Sequence, residues 1–117
     1  MKVKISKDFA YAPGPRYIKE GANSGELFRT TKFRSLVEEA ISKNEILIVD
    51  LDGTAGYGRS FLEELFGGLV REDKLNYQEI VNHLEIISNE EPNWKNKISM
   101  YLKKAYEEES SKMDKEK

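Results

Sequence analysis

One stretch constrains the fold of this chain more than any other: Ile46 to Val70 reads as an apolar strand, a glycine-rich loop and an amphipathic helix in immediate succession. Ile46 to Val49 is a continuous aliphatic run, too short for a buried helix, that ends in Asp50, Asp52 and Gly53. The pattern predicts a strand covered on both faces. Gly53, Gly56 and Gly58 are expected to supply the positive-φ freedom that a tight strand-to-helix crossover needs. Ser60 is then expected to open a helix as its N-cap, with Glu63 completing a capping box and Phe61, Leu62, Leu65, Phe66 and Leu69 forming one apolar stripe. Strand, loop and helix N-terminus in this order are where α/β proteins place their working groups.

The flanking segments supply the rest of a sheet and its cover. Val3, Ile5 and Phe9 alternate with polar residues and predict a short strand. Ala12-Pro-Gly-Pro15 turns the chain, and Arg16 to Glu20 reads as a second strand completing a hairpin. Asn23 and Glu26 are spaced for a capping box, although the helix they announce has a second candidate start near Thr31. Its body is set by Phe33, Leu36, Val37, Ala40 and Ile41, and Asn44 suits its C-terminus. Beyond the central helix, Asn76 to Asn82 predicts a short helix capped by Asn76, and Leu84 to Ser88 a final strand. Trp94, Ile98, Tyr101, Leu102 and Ala105 give the last helix a core face. The expected fold is α/β, in the order β-β-α-β-α-(short α)-β-α, with a small sheet layered against helices. Residues 1–106 form one domain, and the charged residues 107–117 read as a disordered tail.

Charge and composition narrow the function. A net charge of −2 and a pI near 5.6 provide no basic footprint for nucleic acid or an anionic membrane. There is no cysteine and only one histidine, His83, so no thiolate or histidine cluster is available for a metal. His83 beside a strand reads as structural. No apolar run reaches membrane-spanning length, and Met1 to Asp8 lacks the apolar core of a signal peptide, so a cytoplasmic protein without cofactor or metal is expected.

Three sets of residues have chemical potential. Asp50-Leu-Asp52-Gly53-Thr54 behind an apolar strand resembles the first motif of haloacid-dehalogenase-type phosphatases, in which the first Asp is the nucleophile, the second the general acid, and Mg²⁺ bridges phosphate and carboxylate. The later elements of that family are missing, because only one further strand follows and Asn89-Glu90-Glu91 is a poor imitation of its acidic pair. Ser60 is either an ordinary helix cap or an exposed hydroxyl whose phosphate would meet unpaired backbone N–H groups, next to Glu63 and Glu64. Arg16, Arg29 and Arg59 would make an anion site if the fold gathered them at the glycine loop. Gly67-Gly68 inside the helix implies close approach of another backbone or a partner-facing groove.

A broader resemblance covers most of residues 3 to 106. Leu47 to Leu69, with Ser60-Phe-Leu-Glu-Glu-Leu-Phe-Gly67 as its most specific part, is similar to the prokaryotic STAS-like domain of unknown function, related to sulfate-transporter and anti-sigma-factor-antagonist domains. Gly14-Pro-Arg-Tyr17, Ser24-Gly-Glu26 and Phe28-Arg29 match its N-terminal half. The resemblance implies a small mixed sheet with helices packed on one side. Antagonists carry Asp-Ser-Ser-Gly-Leu after the same strand, and their second Ser is phosphorylated. The resemblance places Ser60 at that position, with Gly58-Arg59 in place of Asp-Ser and Phe61-Leu62 in place of Gly-Leu. It implies a non-enzymatic regulatory module whose partner, such as a GHKL-type ATPase or kinase, contacts Asp52, Gly56, Gly58, Arg59, Ser60, Glu63 and Glu64 across the 52–66 loop and helix. A Mg²⁺-dependent phosphohydrolase using Asp50 and Asp52, and a small-ligand pocket at the glycine loop, are the competing expectations.

Overall fold

The computed structural model describes residues 1–116, with side chains as far as Met113. Three parallel strands, β1 (Lys2–Lys4), β2 (Leu47–Asp50) and β3 (Leu84–Ile87), lie in chain order across one sheet, with Val3 beside Val49 and Val49 beside Ile86. Six helices accompany them: α1 (Ile5–Asp8), α2 (Gly25–Phe28), α3 (Arg34–Lys43), α4 (Arg59–Arg71), α5 (Tyr77–Asn82) and α6 (Asn93–Glu116). Two crossovers that step the same way and share one hand lie on the same face of a sheet. Val3, Leu47 and Val49 accordingly share a core with Val37 and Ala40 of α3, Phe61, Leu65 and Leu69 of α4, and Ile98 and Leu102 of α6. Helices on one side of a small sheet are the architecture expected from the sequence.

The opposite face corrects the expectation that β2 is covered on both sides. Because side chains alternate along a strand, the register places Lys2, Ile48 and Glu85 in one row and Lys4, Asp50 and Ile87 in the next. Lys2 and Glu85 are exposed and Ile48 and Ile87 only half-buried. Asp50 is 7% exposed there because Lys4 and Lys2 fold over it, with Nζ at 3.2 and 3.8 Å.

The N-terminal hairpin is not formed. β1 ends at Lys4, where Ile5 turns into α1, and Arg16 to Glu20 contains a 3₁₀ turn, Ile18–Glu20, in place of a strand. The backbone of this segment is bonded to the start of α2 instead, through Gly25 N–H to the Pro15 carbonyl (2.9 Å) and Glu26 N–H to the Arg16 carbonyl (3.0 Å). β1 therefore pairs with the central strand, and the sheet is parallel throughout rather than mixed.

Helix α2 begins at Ser24, whose side chain accepts the Leu27 N–H (3.0 Å), not at Asn23, which adopts a positive φ of 57°. A π-helical turn, Arg29–Phe33, joins α2 to α3 without a break. Thr30 and Thr31 hydroxyls donate to the Glu26 and Leu27 carbonyls (2.8 and 2.6 Å), diverting acceptors from the regular ladder. Asn44 ends α3 in the left-handed region, as its sequence position suggests. The expected tail is helical through Glu116: Tyr106 stacks on Tyr77 (4.7 Å), and Glu109 pairs with Lys74 (2.9 Å) and Lys112 (3.3 Å). Lys117 lies outside the described residues.

Helix α2 packs closely on α4. Gly25 is buried there, and a Cβ on it would lie 2.5 Å from the Phe61 carbonyl oxygen. Gly25→Ala should lower stability by about 1–3 kcal/mol through overpacking, although alanine favours an isolated helix by about 1 kcal/mol. Urea unfolding with an unchanged slope and a lower midpoint is the expected readout.

Candidate functional site

The loop after β2 emerges at the carboxyl ends of the strands, where open α/β sheets form their crevice. Gly53 and Gly56 take positive φ values of 93° and 128°, as the turn requires, whereas Gly58 is at −83° and is the residue that starts α4. Both carboxylates in this loop are engaged by the protein itself. Asp50 accepts the Asp52 N–H (2.9 Å) on one oxygen and Lys4 Nζ on the other. Asp52 accepts the N–H groups of Asn89 (2.9 Å) and Glu90 (3.0 Å), clamping the loop to the end of β3, and Glu90 returns a bond from Gly53 N–H. Tyr57 donates its hydroxyl to the Leu51 carbonyl (2.7 Å), and burial raises its pKa, so it stays a donor. The cavity beneath the loop is about 60 Å³, enough for one or two waters but not for an organic ligand. Among the described residues no set of three His, Asp or Glu side chains is placed to hold a metal ion.

Helix α4 departs from the capping box expected for it. Gly58 is the N-cap and no side chain caps the helix, so Ser60 sits in the first turn, exposed to solvent. Glu63, free of any capping role, is bonded by Arg16 from the N-terminal loop and by both terminal nitrogens of Arg71 (2.9 and 3.2 Å). Burial alone would raise the Glu63 pKa, but the two guanidinium groups outweigh it and hold the carboxyl below its ordinary value.

Glu64 and Arg29 do not lie on a docking surface. Glu64 is 2% and Arg29 4% exposed, and they pair at 2.9 Å in the interior. Arg29 also bonds Asp73 (2.8 Å), and Arg71 reaches Glu64 (3.3 Å). With its charge matched by two carboxylates, Arg29 is unavailable to an external anion. This cluster also explains Gly67-Gly68. A Cβ on Gly68 would lie 2.5 Å from Arg29 Nε, and one on Gly67 would collide with the Glu63 carboxylate, so side chains rather than a backbone occupy the space. His83 is held between the Glu79 carbonyl (2.7 Å) and Asn44 Oδ1 (2.9 Å).

The sequence-predicted residues thus divide into three groups. Arg16, Arg59, Ser60 and Glu63 line one surface groove, Asp52 and Gly56 line the small cavity under the loop, and Glu64 and Arg29 are interior. Tyr101, expected only as a core residue, also lines the groove. Arg71 and Asp73 escaped notice, although Arg71 follows Glu64 and Glu63 by seven and eight residues, a spacing that shares one helix face.

Arg29→Ala should cost about 3–5 kcal/mol by stranding Glu64 and Asp73, measurable by chemical denaturation. The Glu63 pairing contributes stability above the ordinary glutamate pKa of 4.5 and loses it as pH falls through the lower folded value. Glu63→Gln should therefore flatten the acid limb of a plot of stability against pH, leaving the limb near neutrality unchanged in slope.

Residues 30–94, more than half of the chain, match the family model described as a STAS-like domain of unknown function (DUF4325). No curated protein and no solved structure gives a significant match. The match runs from the π-helical turn through β2, the glycine loop, α4 and β3 to the start of α6, and with it this chain belongs to the STAS-like domain family.

Proposed function

We propose that this domain is a non-enzymatic interaction module that docks a protein partner, of the GHKL ATPase or kinase type, on the loop and first turns of α4, with Ser60 as the switch. The observation that carries the reading is the environment of Ser60: an exposed hydroxyl in the first turn of an uncapped 13-residue helix, beside Arg59 and Arg16. A phosphate on it would face unpaired backbone N–H groups and the favourable end of the helix dipole. The repulsion expected from Glu63 and Glu64 is weakened, because the first is paired with Arg16 and Arg71 and the second is interior with Arg29. Membership of the STAS-like family supports a regulatory rather than a catalytic role.

The phosphohydrolase reading is disfavoured by the bonding of the two aspartates. A nucleophilic Asp50 would have to leave Lys4 and the Asp52 N–H, and an acid at Asp52 would have to release two backbone N–H groups. The small cavity under the glycine loop likewise offers a ligand little room.

The test compares wild type, Ser60→Ala and Ser60→Glu as bait in lysate from the native organism, with phosphate mapped by mass spectrometry. One partner retained by wild type and Ala and weakened about tenfold or more by Glu supports the switch. Equal binding by all three rules it out. Turnover of a phosphate ester that is abolished by Asp50→Asn, with folding intact, would replace this reading with the enzymatic one.

A further inference from the structure

Between the first turn of α4 and the middle of α6 lies an open groove of about 450 Å³, lined by Arg16, Arg59, Ser60, Glu63 and Tyr101. It continues past Arg16, Glu63 and Tyr101 into a second hollow of about 590 Å³ along α6. In that second hollow Lys103 and Lys104 are offset by Glu107 and Glu108. Each hollow is lined by one more cationic than anionic side chain. At the α4 end Arg16 and Arg71 share both Glu63 and Glu64, and among the described residues Arg59 has no carboxylate partner.

Two further features of this end are unsatisfied. The Tyr101 hydroxyl is buried without any hydrogen-bond partner, a rare condition for a phenol, and burial raises its pKa so that it remains a donor. Arg59, Glu63 and Arg16 are the charged groups whose fields act on it. The N–H groups of Arg59, Ser60 and Phe61 precede the first intrahelical bond, which Leu62 donates to the Gly58 carbonyl, and no side chain caps them. Guanidinium groups, the Ser60 hydroxyl and an uncapped helix start thus border one groove, together with the Glu63 carboxylate and with Tyr101, whose hydroxyl is covered and unpartnered.

We propose that this groove is a binding site for a phosphate group, inorganic or carried on a small monoester, held by Arg59, Arg16 and the Tyr101 hydroxyl. A tetrahedral dianion suits the set because it accepts from several directions at once and draws bidentate contacts from arginine. Arg16 is the adjustable member, since Glu63 keeps Arg71 when Arg16 turns to the ligand. The site requires no protein partner and no modification of Ser60, so it stands or falls apart from the docking role proposed above.

The experiment is calorimetric titration of the unmodified chain with inorganic phosphate and, separately, glycerol phosphate, at fixed ionic strength. Saturable one-to-one binding is expected, weakened about tenfold in Arg59→Gln and several-fold in Tyr101→Phe, and unchanged in Lys7→Ala, which removes a cation outside the groove. Binding of the ester alone would assign the site to a phosphate monoester, with the second hollow holding the remainder of the molecule. No saturable binding of either probe, or equal binding by wild type, Arg59→Gln and Tyr101→Phe, overturns the proposal. Both substitutions keep the helix, and unchanged circular dichroism and melting temperature separate a lost contact from a lost fold.

Discussion

The guanidinium of Arg29, laid across Gly68 between Glu64 and Asp73, is the interaction on which the arrangement of this domain turns. Three charges leave water together, and each is tolerable only because the others are within hydrogen-bond distance. The cluster fixes α4 relative to the π-helical turn that carries Arg29, and it demands glycine where the guanidinium crosses the helix. The apolar stripe of α4 already resists rotation, since a one-residue turn would carry its buried side chains out of the core, and the ion cluster adds to that cost. A matched ion cluster permits one register only, and the site at the start of α4 inherits that precision.

From this anchor the polar groups of α4 run outward in order of increasing exposure. Glu64 is interior, Glu63 is half-covered by Arg16 and Arg71, and Ser60 is in solvent. The same helix thus has an apolar side in the core and an ionic side that grades from structural to available. At the other end of the loop, the clamp of Asp52 on Asn89 and Glu90 ties the crossover to β3, so the exposed first turn of α4 is held at both ends by bonds that involve no partner.

Much of this was legible in the sequence where local chemistry and tertiary packing agree. The apolar run at Ile46–Val49, except for its exposed first residue, the stripe from Phe61 to Leu69, the Asn76 cap and the left-handed Asn44 stand where periodicity and capping preferences put them. The reading went astray where one residue type serves two purposes. Ser60 and Glu63 have capping-box spacing, yet Gly58 starts the helix two residues earlier and Glu63 is drawn off by Arg71, two turns along the helix, and by Arg16, 47 residues away. Arg16 to Glu20 follows a Pro-Gly-Pro turn as a hairpin strand would, but the segment's backbone partners lie at the start of α2, and nothing local distinguishes those partners from a hairpin. The interior position of Arg29 was hidden for the same reason, since the carboxylates that make its burial tolerable are 35 and 44 residues away. The helical continuation through Glu109 rests on Lys74, equally distant from local view.

The sheet has a consequence for how the chain reaches its native state. No strand pairs with its neighbour across a tight turn; the Lys4–Asp50 bridge between β1 and β2 spans 46 residues, and the Gly53–Glu90 bond that follows β2 and β3 spans 37. Every ladder must therefore close a long loop before it gains a hydrogen bond, a topology of high contact order in which assembly is slow relative to helix formation. The helices between the strands draw on local hydrogen bonds, which form on a faster timescale than the strands can pair. A domain built this way separates its two kinds of robustness. Ser60, in solvent at the start of α4, can change without disturbing the packing, whereas a change at the buried Arg29 leaves Glu64 and Asp73 without their partner.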